Sequence, residues 1–554
     1  MAEKSLKELF EAIEDEAEGD GAAAGEAEEA VERDRLQRLL DATDEEWDEL
    51  SVRERLSLVS ALFNYSDKYD EVEGLERVIE LNDQLDVQDL EPEYAAQWYY
   101  QLGNAHSALA HKTASGPRKL DFFDSNHFIE AIGYKRAAVV QDDLDKLSDY
   151  RISQTYCNLA NILAETGRSS EALRLYNIAL GVNPDHGMAL ANRGQTKWEY
   201  SLFLFDEHQK HMFLHSAYLD LKVALENADD IHPGAEATFR STLEQLKPFA
   251  DKGNSIHAED ERSLGDSEEE IAYNEWVLDN RLFLNPLNDI STHTCAAYDD
   301  FHLPNMILPE GDFPYPGMYN RMKQEFASAR YIFYEGLTGD RNHFSDRRVR
   351  LENTLDYSVS GYRTEQIKTA LRLSYSIFDK IAVFLNKYYD VHEINEGDDE
   401  PSFDEIWYPN MSYDYHNLHD VFESSTNWAL NALYWLKKDF SHHISERDDE
   451  SSVTVAHELR SVRNAAEHDY FKVIENGFID EARHRENPVF QDTIYDAIGE
   501  RELEQATMEM LRLSRAALFY LSFAVHIAEE AKREAYEDVL GGIRSTPLPN
   551  EFKR

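Results

Sequence analysis

The sequence predicts an all-α protein: a helical repeat array in the N-terminal half, followed by a C-terminal helical bundle. Three observations predict it. Apolar residues recur at helical spacing from Trp47 onward, with no strand-like alternation through the N-terminal half. Residues 153–184 form a helix–turn–helix unit with small and large residues at fixed positions. Beyond Ile271 come long amphipathic segments divided by acidic loops, the pattern of an up-down bundle.

The repeat unit reads S-Q-T-Y-C-N-L-A-N-I-L-A-E-T-G-R-S-S-E-A-L-R-L-Y-N-I-A-L-G-V-N-P. Tyr156, Leu159, Ala160, Leu163, Gly167, Ala172, Tyr176, Ala179 and Pro184 fall on the positions of a tetratricopeptide (TPR) repeat. Small Ala160, Ala172 and Ala179 let two helices approach, while Tyr156, Leu163 and Tyr176 fill the seam. Gly167 supplies the turn, and Pro184 stops the second helix. A further unit comes next, with Leu190, Gly194 and Trp198 in its first helix; its second helix, around Ala217–Ala224, is displaced by an insertion. Another precedes it, with Leu102 and Gly103 in one helix and residues 130–138 in the next; residues 54–85 fit a divergent first repeat. Such arrays present a groove to a peptide or protein, or act as a spacer.

Composition narrows the class. The chain has 554 residues, long enough for two to four domains, and 42% of them are hydrophobic, so it is globular. Charge is the outlier: 108 acidic against 55 basic residues, a net of −53 spread over every segment. This resembles the surface of a protein from a very salty cytoplasm, where the Debye length falls to about 3 Å and self-repulsion is screened. Two cysteines, Cys157 and Cys295, argue against a disulfide framework or a thiolate metal site. Met1 leads into acidic residues, so no signal peptide is visible. The apolar run Ala516–Ala528 is too short to span a bilayer and is broken by Ser522 and His526. A cytoplasmic protein is expected.

These features set the expected organisation. An acidic lead, a frayed helix or disordered, covers 1–35, a TPR-like domain 36–250 and an acidic linker 251–270. A connecting segment with short helices covers 271–360, a four-helix bundle 361–540 and a tail 541–554. The connecting segment ends its first short helix at an Asn-Pro turn, where Asp289 or Ser291 is placed to cap the next element. It also holds a helix at Tyr319–Tyr334 and the basic residues Arg341, Arg347, Arg348 and Arg350. In so acidic a chain these are candidate phosphate contacts, unless nearby acids pair with them. Bundle helices are expected at Thr364–Tyr389, Leu418–Phe440, Ser452–Glu475 and Glu500–Tyr536.

The third of these carries the stretch L-R-S-V-R-N-A-A-E-H-D-Y, Leu459 to Tyr470. Arg463, Asn464, Glu467 and His468 bring a cationic fork, an amide, a carboxylate and an imidazole that titrates near neutrality within six residues. On a helical wheel Val455, Leu459, Val462, Ala466 and Val473 form a core stripe, Arg463 lies at its edge, and Asn464 and His468 face outward. An outward histidine suits a site completed by a second surface, as in a symmetric dimer. Arg463 and Glu467 could equally form an ordinary i, i+4 ion pair. Adjacent His442 and His443 lack the spacing that builds a metal site.

The Arg463–Asn464…His468 motif, set among L-F-L-N-P-L-N-D, M-K-Q-E-F-A-S-A-R-Y-I-F-Y-E, S-I-F-D-K-I-A-V-F-L-N-K-Y and L-N-A-L-Y-W-L-K-K-D-F, resembles the HEPN superfamily. More closely, it resembles the branch with N-terminal tetratricopeptide repeats, over about residues 276–540. The resemblance implies a metal-independent endoribonuclease with no cofactor, acting as a dimer in defence, a toxin-like response or RNA processing. RNA would be the substrate, cleaved through a 2′,3′-cyclic phosphate. Arg463, Asn464 and His468 match the catalytic motif, with Glu467 in support. The superfamily also has non-catalytic members, so the alternative is a TPR/HEPN scaffold that binds a protein, a nucleotide or RNA.

Overall fold

Helices dominate the computed structural model, which describes residues 5–18, 26–113, 125–140, 144–227, 231–250, 262–307, 314–352, 357–394, 399–409, 411, 418–423, 425–440, 471–478, 496–535 and 553. Two units emerge. One comprises Met1–Ile162 and Leu175–Ala189; the other comprises Leu163–Arg174, Leu190–Ser441 and Val455–Arg554.

The first unit begins earlier than composition suggested. Of the two alternatives for the acidic lead, its described residues are helical: they form α1 (Leu6–Glu18), followed by α2 (Glu26–Leu40). Leu6 and Leu9 of α1 are buried with Leu39, Trp47, Leu58, Leu62, Val78 and Leu81. Burying a leucine contributes about 1.5–3 kcal/mol, which offsets the ordering of an acidic helix. Two capping boxes then set the helix starts. Thr43 and Glu46 cap α3 (Asp44–Asp48), and Ser51 and Glu54 cap α4 (Val52–Lys68). A short turn through Asp70, at φ 58°, joins α4 to α5 (Val72–Asp83), and the two helices pack together.

Next, α6 (Pro92–Thr113) packs on α4, α5 and α7 (Asn126–Val139). Trp98 anchors it by donating its indole N–H to the Asn82 carbonyl at 2.9 Å. The central repeat unit folds as α8 (Asp149–Glu165) and α9 (Ser169–Val182), and α10 (Gly187–Ser201) comes after it. Cys157 and Cys295 are both buried.

In the second unit α11 (Glu207–Asn227) runs longer than expected and packs on α12 (Pro233–Leu246). Gly194 of α10 lets α11 approach: a Cβ there would lie 2.9 Å from Leu221 Cγ and 3.1 Å from Asp220 Cβ. Ser267 caps α13 (Glu268–Asp279), and the single turn α14 (Leu287–Ile290) comes next.

The bundle core is built from α15 (Tyr315–Thr338), α16 (Tyr362–Tyr389), α18 (Trp428–Phe440) and α19 (Glu500–Ala535). α16 and α15 pack along their lengths, and α19 packs on α15, α16 and α18. The helix expected only at Tyr319–Tyr334 is thus a longer member of the bundle. α19 is long and apolar enough by composition to cross a membrane, but most of that stretch is buried within the protein.

Two expected helices differ. Leu418–Phe440 is broken into α17 (Asp420–Glu423) and α18, because Asn427 caps the second piece, its Oδ1 accepting from the Ala429 and Leu430 N–H groups. The helix expected at Ser452–Glu475 is described only from Phe471 on, and there it is not helical. Phe471–Ile474 is a strand, β1, paired in parallel with β2 (Asp496–Gly499). Phe-Lys-Val-Ile suits a strand, and Asn476-Gly477 ends it. Val473, expected on the helix's core stripe, is buried, but from a strand.

Candidate functional site

Arg463, Asn464, Glu467 and His468 lie outside the described residues, as does the rest of Leu459–Tyr470. The frame that receives the chain after this stretch is described. β1 begins at Phe471, three residues beyond His468. Its other edge meets the segment leading into α16: Val359 N–H donates to the Val473 carbonyl at 2.7 Å, and Glu475 N–H donates to the Tyr357 carbonyl at 3.1 Å. Tyr357 stacks face to face on Phe478, centroids 3.9 Å apart. β2 runs directly into α19, where Glu502 accepts from Gly499 N–H. Arg363 in the first turn of α16 reaches Glu500 and Glu504 of α19. Together these contacts gather the start of α16, the start of α19 and β1 at one end of the bundle.

The arginine run leads into the same end. Arg341, Arg347, Arg348 and Arg350 are all exposed, and none lies within ion-pair distance of a carboxylate among the described residues. The nearby Asp346 is occupied at the head of α16, its Oδ2 accepting from Tyr362 N–H at 3.0 Å. Among the described residues, ion pairing therefore does not account for these arginines.

The residues of the expected repeat lie in α8, in α9 and in the turns that follow them. Leu159, Ala160, Ala172, Tyr176 and Ala179 are buried; Tyr156 is partly buried, and Pro184 sits in the turn after α9. Tyr176 donates its hydroxyl to Asn161 Oδ1 at 2.6 Å. Gly167 adopts φ 87°, and a Cβ there would fall 2.7 Å from the Trp428 carbonyl oxygen. The position requires glycine for both reasons.

Sequence reasoning missed the buried charges. Arg515 of α19 donates to Asp289 Oδ1 at 2.6 Å, to the Phe283 and Asn285 carbonyls and to Ser170 Oγ. Asp289 is thus no helix cap; Tyr200 donates to its other oxygen. Arg168 forks onto Glu171 and reaches Asp439 at 2.7 Å; burial disfavours its charge, but the two carboxylates outweigh that and push its pKa up. Lys197 and Arg193 converge on Asp220. Burial draws the Lys197 ammonium down to about 8, against the pull of Asp220. These groups face protein partners rather than a cleft, which marks them as structural.

Residues 309–528 match the family of LA2681-like HEPN domains. The chain therefore carries a domain of the HEPN superfamily, reaching from just before α15 into α19 and including Leu459–Tyr470. No curated protein matches the chain.

Proposed function

We propose that the chain is a metal-independent endoribonuclease whose catalytic groups are Arg463, Asn464 and His468. The observation that carries this reading is the match of residues 309–528 to LA2681-like HEPN, which encloses the Arg463–Asn464…His468 motif. The exposed arginines add a surface for phosphate contact, in a chain that is otherwise strongly acidic.

The chemistry rests on the groups present. The ribose 2′-oxygen attacks the adjacent phosphorus as its proton passes to a base, and the bond to the 5′-oxygen breaks as that oxygen takes a proton. The products are a 2′,3′-cyclic phosphate and a 5′-hydroxyl. His468 serves as the base or the acid, an imidazole being the side chain suited to taking or giving a proton near neutral pH. Arg463 grips the non-bridging oxygens, where negative charge grows in the transition state. Asn464 orients the imidazole or the phosphate, and Glu467 restrains Arg463. Two copies facing across a dimer would supply both proton carriers, and the helical repeats would bind a partner that regulates the activity in defence or a toxin-like response.

Arg463→Ala and His468→Ala should each lower cleavage of single-stranded RNA at least 100-fold, with the helical circular dichroism of the parent retained. Cleavage at the parental rate by both variants would overturn the assignment. The rival reading, a non-catalytic scaffold, draws on the net charge of −53, which repels RNA at low salt. The same variants separate the two, because a scaffold leaves RNA intact in every form.

A further inference from the structure

The arginine run exposes rings as well as charge. His343 contacts both Phe344 and Tyr362: its ring centroid is 4.2 Å from that of Phe344, tilted at 43°, and 4.6 Å from that of Tyr362, stacked at 30°. Phe344 is 71% exposed and Tyr362 is 44% exposed. His343 is held in place by Ser345, whose Oγ lies 2.8 Å from Nδ1, and Asp346 fixes the backbone of Tyr362. The result is a cluster of three rings in contact, of which Phe344 and Tyr362 are exposed and His343 half-buried. Over residues 340–352 four arginines stand against three acids, Asp340, Asp346 and Glu352, whereas the whole chain has about twice as many acids as bases.

A lone exposed phenylalanine is ordinary. An exposed cluster of rings, flanked by arginines that no described carboxylate holds, is the pairing that binds unstacked bases, with the rings on base faces and guanidinium groups on phosphates. At high salt the phosphate contacts weaken, and stacking does not depend on salt in that way. Exposed Val349 and Leu351 would also suit a protein partner, but the ring cluster favours bases. We propose that His343, Phe344 and Tyr362, with Arg341, Arg347, Arg348 and Arg350, form a stacking platform for single-stranded RNA. The proposal rests on the ribonuclease reading for its choice of RNA, and it names the form of RNA that the protein takes.

The test uses the full chain as His468→Ala, so that RNA stays intact, with fluorescein-labelled oligouridylate and oligoadenylate and a duplex of the two. Fluorescence anisotropy is read over a series of potassium chloride concentrations. The single strands should bind at least tenfold tighter than the duplex. Phe344→Ala should weaken single-strand binding about tenfold without changing the salt slope. Arg347→Gln with Arg348→Gln should instead lower the slope by about 0.7 for each phosphate no longer neutralised. Each variant should keep the parental melting temperature, because the altered side chains are exposed. Equal binding of the duplex, or an unchanged affinity in Phe344→Ala, overturns the platform. So does a complete lack of RNA binding, and loss of self-association in Phe344→Ala with Leu351→Ala would then assign the surface to a protein contact. Phe344→Ala is also made in the chain that keeps His468. Parental cleavage by that variant, alongside unchanged binding, refutes the platform and leaves the ribonuclease standing. Tight single-strand binding without cleavage by the parent does the reverse.

Discussion

Arg515 is enclosed by the Asp289 carboxylate, the Ser170 hydroxyl and two backbone carbonyls, and it is nearly fully buried. Such an arginine persists only because its charge is matched and its donors are satisfied. Asp289→Asn removes the match and leaves the guanidinium buried, so it should destabilise the protein by about 3–5 kcal/mol, measured by denaturant unfolding. A loss below about 1 kcal/mol would mean that Arg515 is neutralised elsewhere. Gly167 carries a second residue-level expectation. Its φ of 87° and its closeness to Trp428 leave no room for a side chain, so Gly167→Ala should cost about 1–3 kcal/mol in the same experiment. The glycine was readable from its repeat position. The Arg515–Asp289 partnership was not, because 226 positions separate the two residues and local turn chemistry offered Asp289 a plausible role as a cap.

Among the elements, the α10–α11 pair holds Lys197, Arg193 and Asp220 in one buried group. Burial lowers Lys197 from 10.5 to about 8. Burial alone would raise the Asp220 carboxyl, but Lys197 and Arg193 hold it below its usual range. Between pH 8 and 10.5 the unfolded chain binds a proton at Lys197 that the folded chain lacks, so this lysine's contribution to stability rises with pH across that window. Asp220 contributes stability above its unfolded pKa that is lost as the solution acidifies through its lower folded value. Lys197→Met should therefore flatten the alkaline rise in stability while Arg193 still pairs Asp220. Denaturation midpoints from about pH 7 to about pH 10.5 check this; an identical pH profile in the variant would contradict it. Elsewhere the elements were legible where periodicity was long. α16 and α19 follow their apolar stripes almost to the predicted ends. The failures were local competitions. Asn427 divided one helix by capping, and the β-branched Val473 and Ile474 turned the end of another into a strand whose partner, Asp-Ala-Ile-Gly, has no strand signature of its own.

At the scale of the molecule, composition announced the charge, and the motif with its flanking segments announced a HEPN domain. A net of −53 makes the folded state self-repelling, so the melting temperature should climb as potassium chloride rises from tens of millimolar to molar, and a flat response would contradict the reading of the surface as salt-adapted. In the acidic lead two leucines, Leu6 and Leu9, are diluted in acidic sequence but fall on one helical face and are buried. The catalytic assignment rests on Arg463 and His468, and product ends test it most directly. Total RNA is incubated with the parent and with His468→Ala in EDTA at high salt, and the cut ends are mapped. Cyclic-phosphate ends that persist in EDTA and vanish in His468→Ala are predicted; cleavage abolished by EDTA, or unchanged in His468→Ala, would contradict the account.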